Sequence, residues 1–216
     1  MPLINNTIFF SEDDKALIEE KRQLGTSSHL DWGANELMPI RSKIRNFYRT
    51  EQRGICAYCK SDVSLRSASN AHIEHIAPKS LYLSFMFEPK NLCVICADCN
   101  EIKRNQEVLN EVVDTFSGKV NRYPRSSSAF KIVHPLFDNY DEHILKKGRV
   151  YIDRSAKGAF TIGACKLNRY FHEFGVDDEF VNDEELVSQM NEYIGSQSTV
   201  QKAGILNRLR DMLFNL

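Results

Sequence analysis

At 216 residues the chain has room for one or two compact units, and 42% hydrophobic residues supply a core, which excludes wholesale disorder. The 28 Lys and Arg nearly cancel the 29 Asp and Glu, which excludes a uniformly basic coat for nucleic acid but leaves a local basic groove open. No apolar run reaches the roughly 18 residues of a membrane-spanning helix, and Met1 to Phe10 lacks the pattern of a secretory signal. The chain is therefore expected to be cytoplasmic, with its six cysteines as metal ligands or free thiols rather than disulfides.

The first predicted element is a helix capped by Ser11, carrying Leu17, Ile18 and Leu24 and stopped by Gly25. Thr26 to Asn35 is polar and reads as a loop. A second helix starts near Pro39 and buries Ile40, Ile44, Phe47 and Tyr48, at helical spacing. From Gly54 to about Gln106 five of the six cysteines and two of the six histidines crowd together, a composition that predicts a metal-organised unit. Asn110 to Phe116 is expected to be helical, and Arg122 to Ser128, holding Pro124, is expected to be a turn-rich linker.

Phe130–Val133 and Arg149–Ile152 read as strands, with Gly148 as a turn residue. Gly158 to Gly163 is expected to lead into a helix bearing Leu167, Tyr170, Phe171 and Phe174 as core residues. The acidic run from Asp177 to Glu185 is expected to be a solvated face. Two amphipathic helices close the chain, one burying Leu186, Met190 and Ile194, the other Leu206, Leu209 and Leu213. The expected organisation is α+β, with a helical segment over 1–53, a core over 54–106 and a mixed, mostly helical region over 107–216.

The first chemical signal is Cys56-Ala-Tyr-Cys59 paired with Cys96-Ala-Asp-Cys99, with thirty-six residues between the pairs. Each CxxC turn aims two thiolates at one side of a cation, and two turns complete a tetrahedral sulfur site, the preference of structural zinc. Cys93-Val-Ile-Cys96 has the same spacing. Cys96 with Cys99 is preferred because Cys99 leads into helical-looking sequence; Cys93 and Cys165 are then plain buried thiols.

The second signal is His72-Ile-Glu74-His75-Ile-Ala-Pro78-Lys79. Metal-assisted phosphodiester hydrolysis needs a neutral imidazole as base and a hard divalent cation on oxygen ligands, here the Glu74 carboxylate and the Asn100 amide oxygen. Neighbours on a strand point to opposite faces, so a bend or bulge is expected to bring Glu74 and His75 to one site.

Cys56-x-x-Cys59, Glu74-His75-Ile-x-Pro78, Asn91-Leu92 and Cys96-x-x-Cys99-Asn100-x-x-Lys103 together resemble the HNH endonucleases with a zinc-bound ββα-metal core. The resemblance implies that His75 is the general base. It implies that Glu74 and Asn100 hold catalytic Mg2+ or Mn2+, and that Asn91 braces the loop carrying the base. The four cysteines would hold zinc, and Lys103, Arg104 and Lys79 would meet phosphate. Cleavage would leave 5′-phosphates. Glu74 stands where many members have Asp, and His72 lies outside the pattern.

The looser wording His134-Pro135-x-x-Asp138-Asn139-x-x-Glu142-His143, with Thr161-Ile162 and Leu167-Asn168-Arg169, resembles the PtuB-like proteins of Septu-type and retron-linked antiphage systems. That resemblance implies a DNA-cleaving effector beside an ABC/SMC-like ATPase. The flanking helices would dock the ATPase or another copy of the chain. Read structurally, Asp138, Asn139, Glu142 and His143 are turn and cap residues.

Between Gly54 and Arg104 six bases stand against five acids, too few for tight unaided DNA binding. Two further readings stay open, an RNA-cleaving (for instance tRNA-cleaving) HNH nuclease and a zinc-dependent binding module without catalysis. Such a module has no need of Glu74, His75 and Asn100 in combination. A zinc deaminase is disfavoured because its Pro-Cys-x-x-Cys context is missing.

Overall fold

The computed structural model describes residues 2–23, 28–110, 122–175 and 184–214. Leu24, Gly25, residues 111–116 of the expected third helix, most of the acidic run and the Leu213 side chain lie outside the described residues. Two units are distinguishable, residues 1–145 with 153–167 and residues 146–152 with 168–216.

The first unit opens with α1 (Glu12–Gln23). Ser11 and Asp14 cap it reciprocally: the Ser11 hydroxyl accepts from the Asp14 N–H at 3.3 Å, and the Asp14 carboxylate accepts from the Ser11 N–H at 2.9 Å. Ile18 is buried and Leu17 half-buried. In α2 (Met38–Glu51) Pro39 occupies the first turn, and Ile40, Ile44 and Tyr48 form the buried stripe; Phe47 is half-buried.

At the end of α2 the Gln52 side chain behaves like a strand neighbour. Its Nε2 donates to the Val94 carbonyl at 2.8 Å and its Oε1 accepts from the Val94 N–H at 2.7 Å. Arg49 donates to the carbonyls of Leu65 and Ser67. These ties fix α2 to an antiparallel hairpin of β1 (His72–His75) and β2 (Leu92–Ile95), with His72 opposite Ile95 and His75 opposite Leu92. All four residues of β2 are buried, and α3 (Ala97–Lys103) follows at once. This ββα arrangement positions the candidate site.

Residues 122–128 are more than a linker. Tyr123 is buried, its ring 5.2 Å from Phe85 and 5.6 Å from Phe130. The strand expected over Phe130–Val133 reduces to one bridge, Phe130 to Leu109. The Lys131 N–H still donates to the Val108 carbonyl at 2.7 Å, but the Val133 N–H donates to the Thr161 hydroxyl at 2.8 Å.

Downstream come α4 (Tyr140–His143), β3 (Ile144–Lys147), β4 (Val150–Asp153) and α5 (Ala156–Cys165). β3 and β4 pair; β4 answers to the expected Arg149–Ile152 strand, whereas β3 was not foreseen. Gly158 and Gly163 are interior to α5 rather than in front of a helix. Gly158 is there for close approach: a Cβ on it would lie 1.9 Å from the His143 carbonyl oxygen. Gly158→Ala is expected to destabilise the protein by about 1–3 kcal/mol through this overpacking. A urea midpoint equal to that of the native protein would refute the contact.

The His134–His143 motif folds into a buried polar knot. The Asp138 carboxylate accepts from the His134 N–H at 2.7 Å and pairs with Lys157 at 2.5 Å, while the His143 ring meets the Ser155 hydroxyl at 2.7 Å. Asn139 donates to Glu142. The Asp138 bond to the His134 N–H is the turn bond that the structural reading expects; the contacts of Asp138 with Lys157 and of His143 with Ser155 are tertiary, and Asn139 makes no side-chain cap bond to α4.

In the second unit α6 (Arg169–Phe174) precedes α7 (Glu184–Gly195) and α8 (Thr199–Phe214). Its core is Leu186, Met190, Ile205 and Leu209, with Phe171 and Tyr193 against it. Two expected core residues face out: Ile194 is 63% exposed and Leu206 47%. On α8 the buried stripe runs through Ile205 rather than Leu206, a one-residue phase difference. Tyr170 and Phe174 are also exposed, leaving Leu167 and Phe171 as the packed members of their group. Glu184 and Glu185, the described end of the acidic run, are exposed. No helix among the described residues is long and apolar enough to cross a membrane.

Candidate active site

The cysteines converge as the CxxC spacing predicts. Cys56 and Cys59 come from the loop after α2; Cys96 caps α3 and Cys99 sits in its first turn. Their four sulfurs lie within 4.8 Å of one another, all buried, with Cys59 and Cys96 at 3.7 Å. A tetrahedral zinc–thiolate site with bonds of about 2.3 Å needs sulfurs about 3.8 Å apart. The set therefore fits a closed structural metal. Thiol hydrogen bonds from Cys56, Cys96 and Cys99 hold the Cys59 thiol well below its usual range, whereas burial pushes Cys56 up. A cation is what lets all four shed protons together. Cys93, facing Glu74 across the hairpin, and Cys165 stay outside the set.

β1 presents two chemically different faces, because successive residues alternate. His72 and Glu74 face α3 in two rungs. The Asn100 amide nitrogen lies 3.3 Å from His72 Nδ1, and the Lys103 ammonium lies 2.6 Å from Glu74 Oε1. Asn100 and Lys103 are three residues apart on one helix face, which matches the two-residue step of the strand. Glu74 Oε1 also accepts from the Tyr58 hydroxyl at 3.2 Å. Oε2 forms no hydrogen bond among the described residues. That oxygen and the Asn100 amide oxygen suit a hard divalent cation.

Lys103 differs from its expected role. It is fully buried, with its ammonium on Glu74 and on the Ile76 carbonyl at 3.1 Å. A lysine can be buried when a carboxylate and carbonyls take its protons, and so placed it cannot reach out to a phosphate.

His75, the last residue of β1, turns the other way. No bulge interrupts the ladder, and Glu74 and His75 follow normal register. The pair is linked electrostatically by Lys79, which acts on both. The His75 ring is buried, and its Nε2 is 3.0 Å from the Met86 carbonyl oxygen. A carbonyl only accepts, so Nε2 carries the proton and Nδ1 carries the lone pair. Nδ1 forms no hydrogen bond among the described residues. Burial, then the positive charges of Lys79 and Lys103, push the His75 pKa down to about 3. The ring is neutral at pH 7.

Asn91, fully buried, clamps the loop from 76 to 91. Its amide donates to the Ala77 and Phe85 carbonyls, both at 3.0 Å, and accepts from the Ala77 N–H at 2.7 Å. Lys79 lies on that loop, half-buried, and burial lowers its pKa. Its ammonium makes no hydrogen bond or ion pair among the described residues. Arg104 is exposed at the end of α3 and pairs with Glu101.

Two residues of the site escape sequence reasoning. Trp32, in the stretch read as a polar loop, packs edge-on against His75 with ring centroids 4.5 Å apart. Its 3₁₀ turn is set by a reciprocal cap between Ser28 and Asp31, a Ser-x-x-Asp signature legible in the sequence. Tyr58, inside the first CxxC turn, reaches Glu74, and no local pattern announces that contact.

A neutral imidazole, a buried carboxylate and a four-sulfur set thus lie on one ββα unit, a metal-organised domain. Residues 56–106 match the family model described as HNH endonuclease. That similarity supports membership of the HNH family for this segment and implies nuclease, hence hydrolase, chemistry. No curated protein and no solved structure matches the chain.

Proposed function

We propose that this chain is a divalent-metal-dependent HNH endonuclease that hydrolyses DNA phosphodiesters, with His75 as general base. The observation that carries the reading is the His75 ring: its Nε2–H is held by the Met86 carbonyl, and its Nδ1 lone pair accepts no hydrogen bond among the described residues. Nδ1 takes a proton from water, the resulting hydroxide attacks phosphorus, and the bond from phosphorus to the 3′ oxygen breaks, leaving a 5′-phosphate. Lys79, whose ammonium makes no hydrogen bond or ion pair among the described residues, receives the phosphate. A phosphodiester anion beside Lys79 also cancels part of the positive field on His75 and makes the ring a stronger base. Glu74 and Asn100 are the residues that would hold Mg2+ or Mn2+, which when bound neutralises charge on the phosphate and the leaving oxygen.

An antiphage effector role beside an ATPase, in the manner of the PtuB-like proteins, extends the same reading. It draws support from the motif wording at His134–His143 and from the near-neutral charge, which leaves DNA delivery to a partner.

The test is a cleavage assay of the full chain with Mg2+ or Mn2+ on plasmid, linear duplex, single-stranded DNA and RNA. Divalent-dependent DNA cleavage is expected. Cleavage confined to RNA overturns the DNA reading, and zinc-loaded, folded protein that cuts no polymer overturns the nuclease reading.

A further inference from the structure

We infer that His72, which lies outside the HNH pattern, is a positioning residue that sets which end of the Asn100 amide faces the divalent cation. The inference rests on the nuclease reading and deepens it. The His72 Nε2 lies 2.9 Å from the Ser69 carbonyl oxygen. That oxygen accepts only, so Nε2 carries the proton and Nδ1 is left as an acceptor. Nδ1 is the atom that meets the Asn100 amide nitrogen, at 3.3 Å. The Asn100 NH2 group must therefore turn toward His72, and its Oδ1 turns away from the ring.

A primary amide is nearly symmetric in shape and flips by half a turn. Only the hydrogen-bond partner distinguishes its ends. Flipped, Asn100 would offer a cation its N–H groups, which repel it. The imidazole acceptor removes that alternative before any ion arrives.

The loop holding Ser69 is itself registered on α3, because the Asn70 amide oxygen accepts from the Ala97 N–H at 3.0 Å. Ser69, His72 and Asn100 thus form one chain of orientation, from loop carbonyl to ring to amide. Outer partners of this kind are worth about 10–100-fold in metal affinity.

The experiment measures Mn2+ affinity by calorimetry on zinc-loaded full-length chains: native, His72→Ala, Asn100→Ala and the double variant. Zinc content and melting temperature are recorded to confirm that each variant folds. His72→Ala and Asn100→Ala are each expected to weaken Mn2+ binding about 10–100-fold, and the double variant no more than Asn100→Ala alone. His72→Gln, whose amide oxygen also accepts, is expected to recover most of the loss. Native-like affinity in His72→Ala overturns the inference. A double variant weaker than Asn100→Ala also overturns it, since His72 would then act on the ion without Asn100. Absence of Mn2+ binding in the native chain, or native affinity in Asn100→Ala, fails the underlying nuclease reading instead.

Discussion

His75→Ala is expected to lower divalent-dependent cleavage by about 10²–10⁴-fold, the usual worth of a positioned general base. The loss should fall on the chemical step, because Lys79, Glu74 and Asn100 are untouched. It should not come from unfolding. The ring's contact with Trp32 is worth about 0.5–1.5 kcal/mol, small beside a total stability of about 5–15 kcal/mol. Single-turnover rates at saturating Mn2+ check the claim, with zinc content and the melting curve confirming the fold. Added imidazole should restore part of the rate, since the truncated side chain leaves a ring-shaped space between Met86 and Trp32. A variant that cuts at the native rate removes His75 from the mechanism.

What could be read in advance depended on how local each feature is. The four metal cysteines were legible because a CxxC turn is a local device, and two copies of it supply the four ligands of a tetrahedral set. The stripe of α2 was legible for the same reason: Ile40, Ile44 and Tyr48 recur with the helical period. Lys103 was not, because a lysine reads as solvated until a carboxylate is shown to bury it, and Glu74 lies twenty-nine positions earlier in the chain. Trp32 was missed likewise, since its contact with His75 spans two unrelated segments.

The glycines of α5 misled through propensity. Gly158 is favoured at turns in general, but here tertiary packing against the His143 carbonyl requires it inside a helix. At Phe130–Val133 the β-branched and aromatic residues had strand propensity without a strand to pair with. Both failures are cases of tertiary context overriding local preference.

Removing the four-sulfur centre is expected to abolish the ordered ββα unit. The hairpin has four-residue strands and α3 has seven residues, and both are too short to persist without tertiary support. Cys96 and Cys99 tie the start of α3 to Cys56 and Cys59, and α3 in turn carries Asn100 and Lys103. Zinc binding in small thiolate sites contributes about 10–16 kcal/mol, comparable to the whole stability of a typical domain, about 5–15 kcal/mol. Cys59→Ala, or stripping with a strong chelator, should therefore lose bound zinc, the cooperative melt of the first unit and cleavage together. Cys93→Ala should keep one zinc per chain, because Cys93 lies outside the sulfur set. Metal content by mass spectrometry with thermal denaturation decides the matter. A cooperative melt that persists in zinc-free Cys59→Ala would show that hydrophobic packing alone holds the unit, and the structural role of the centre would have to be withdrawn.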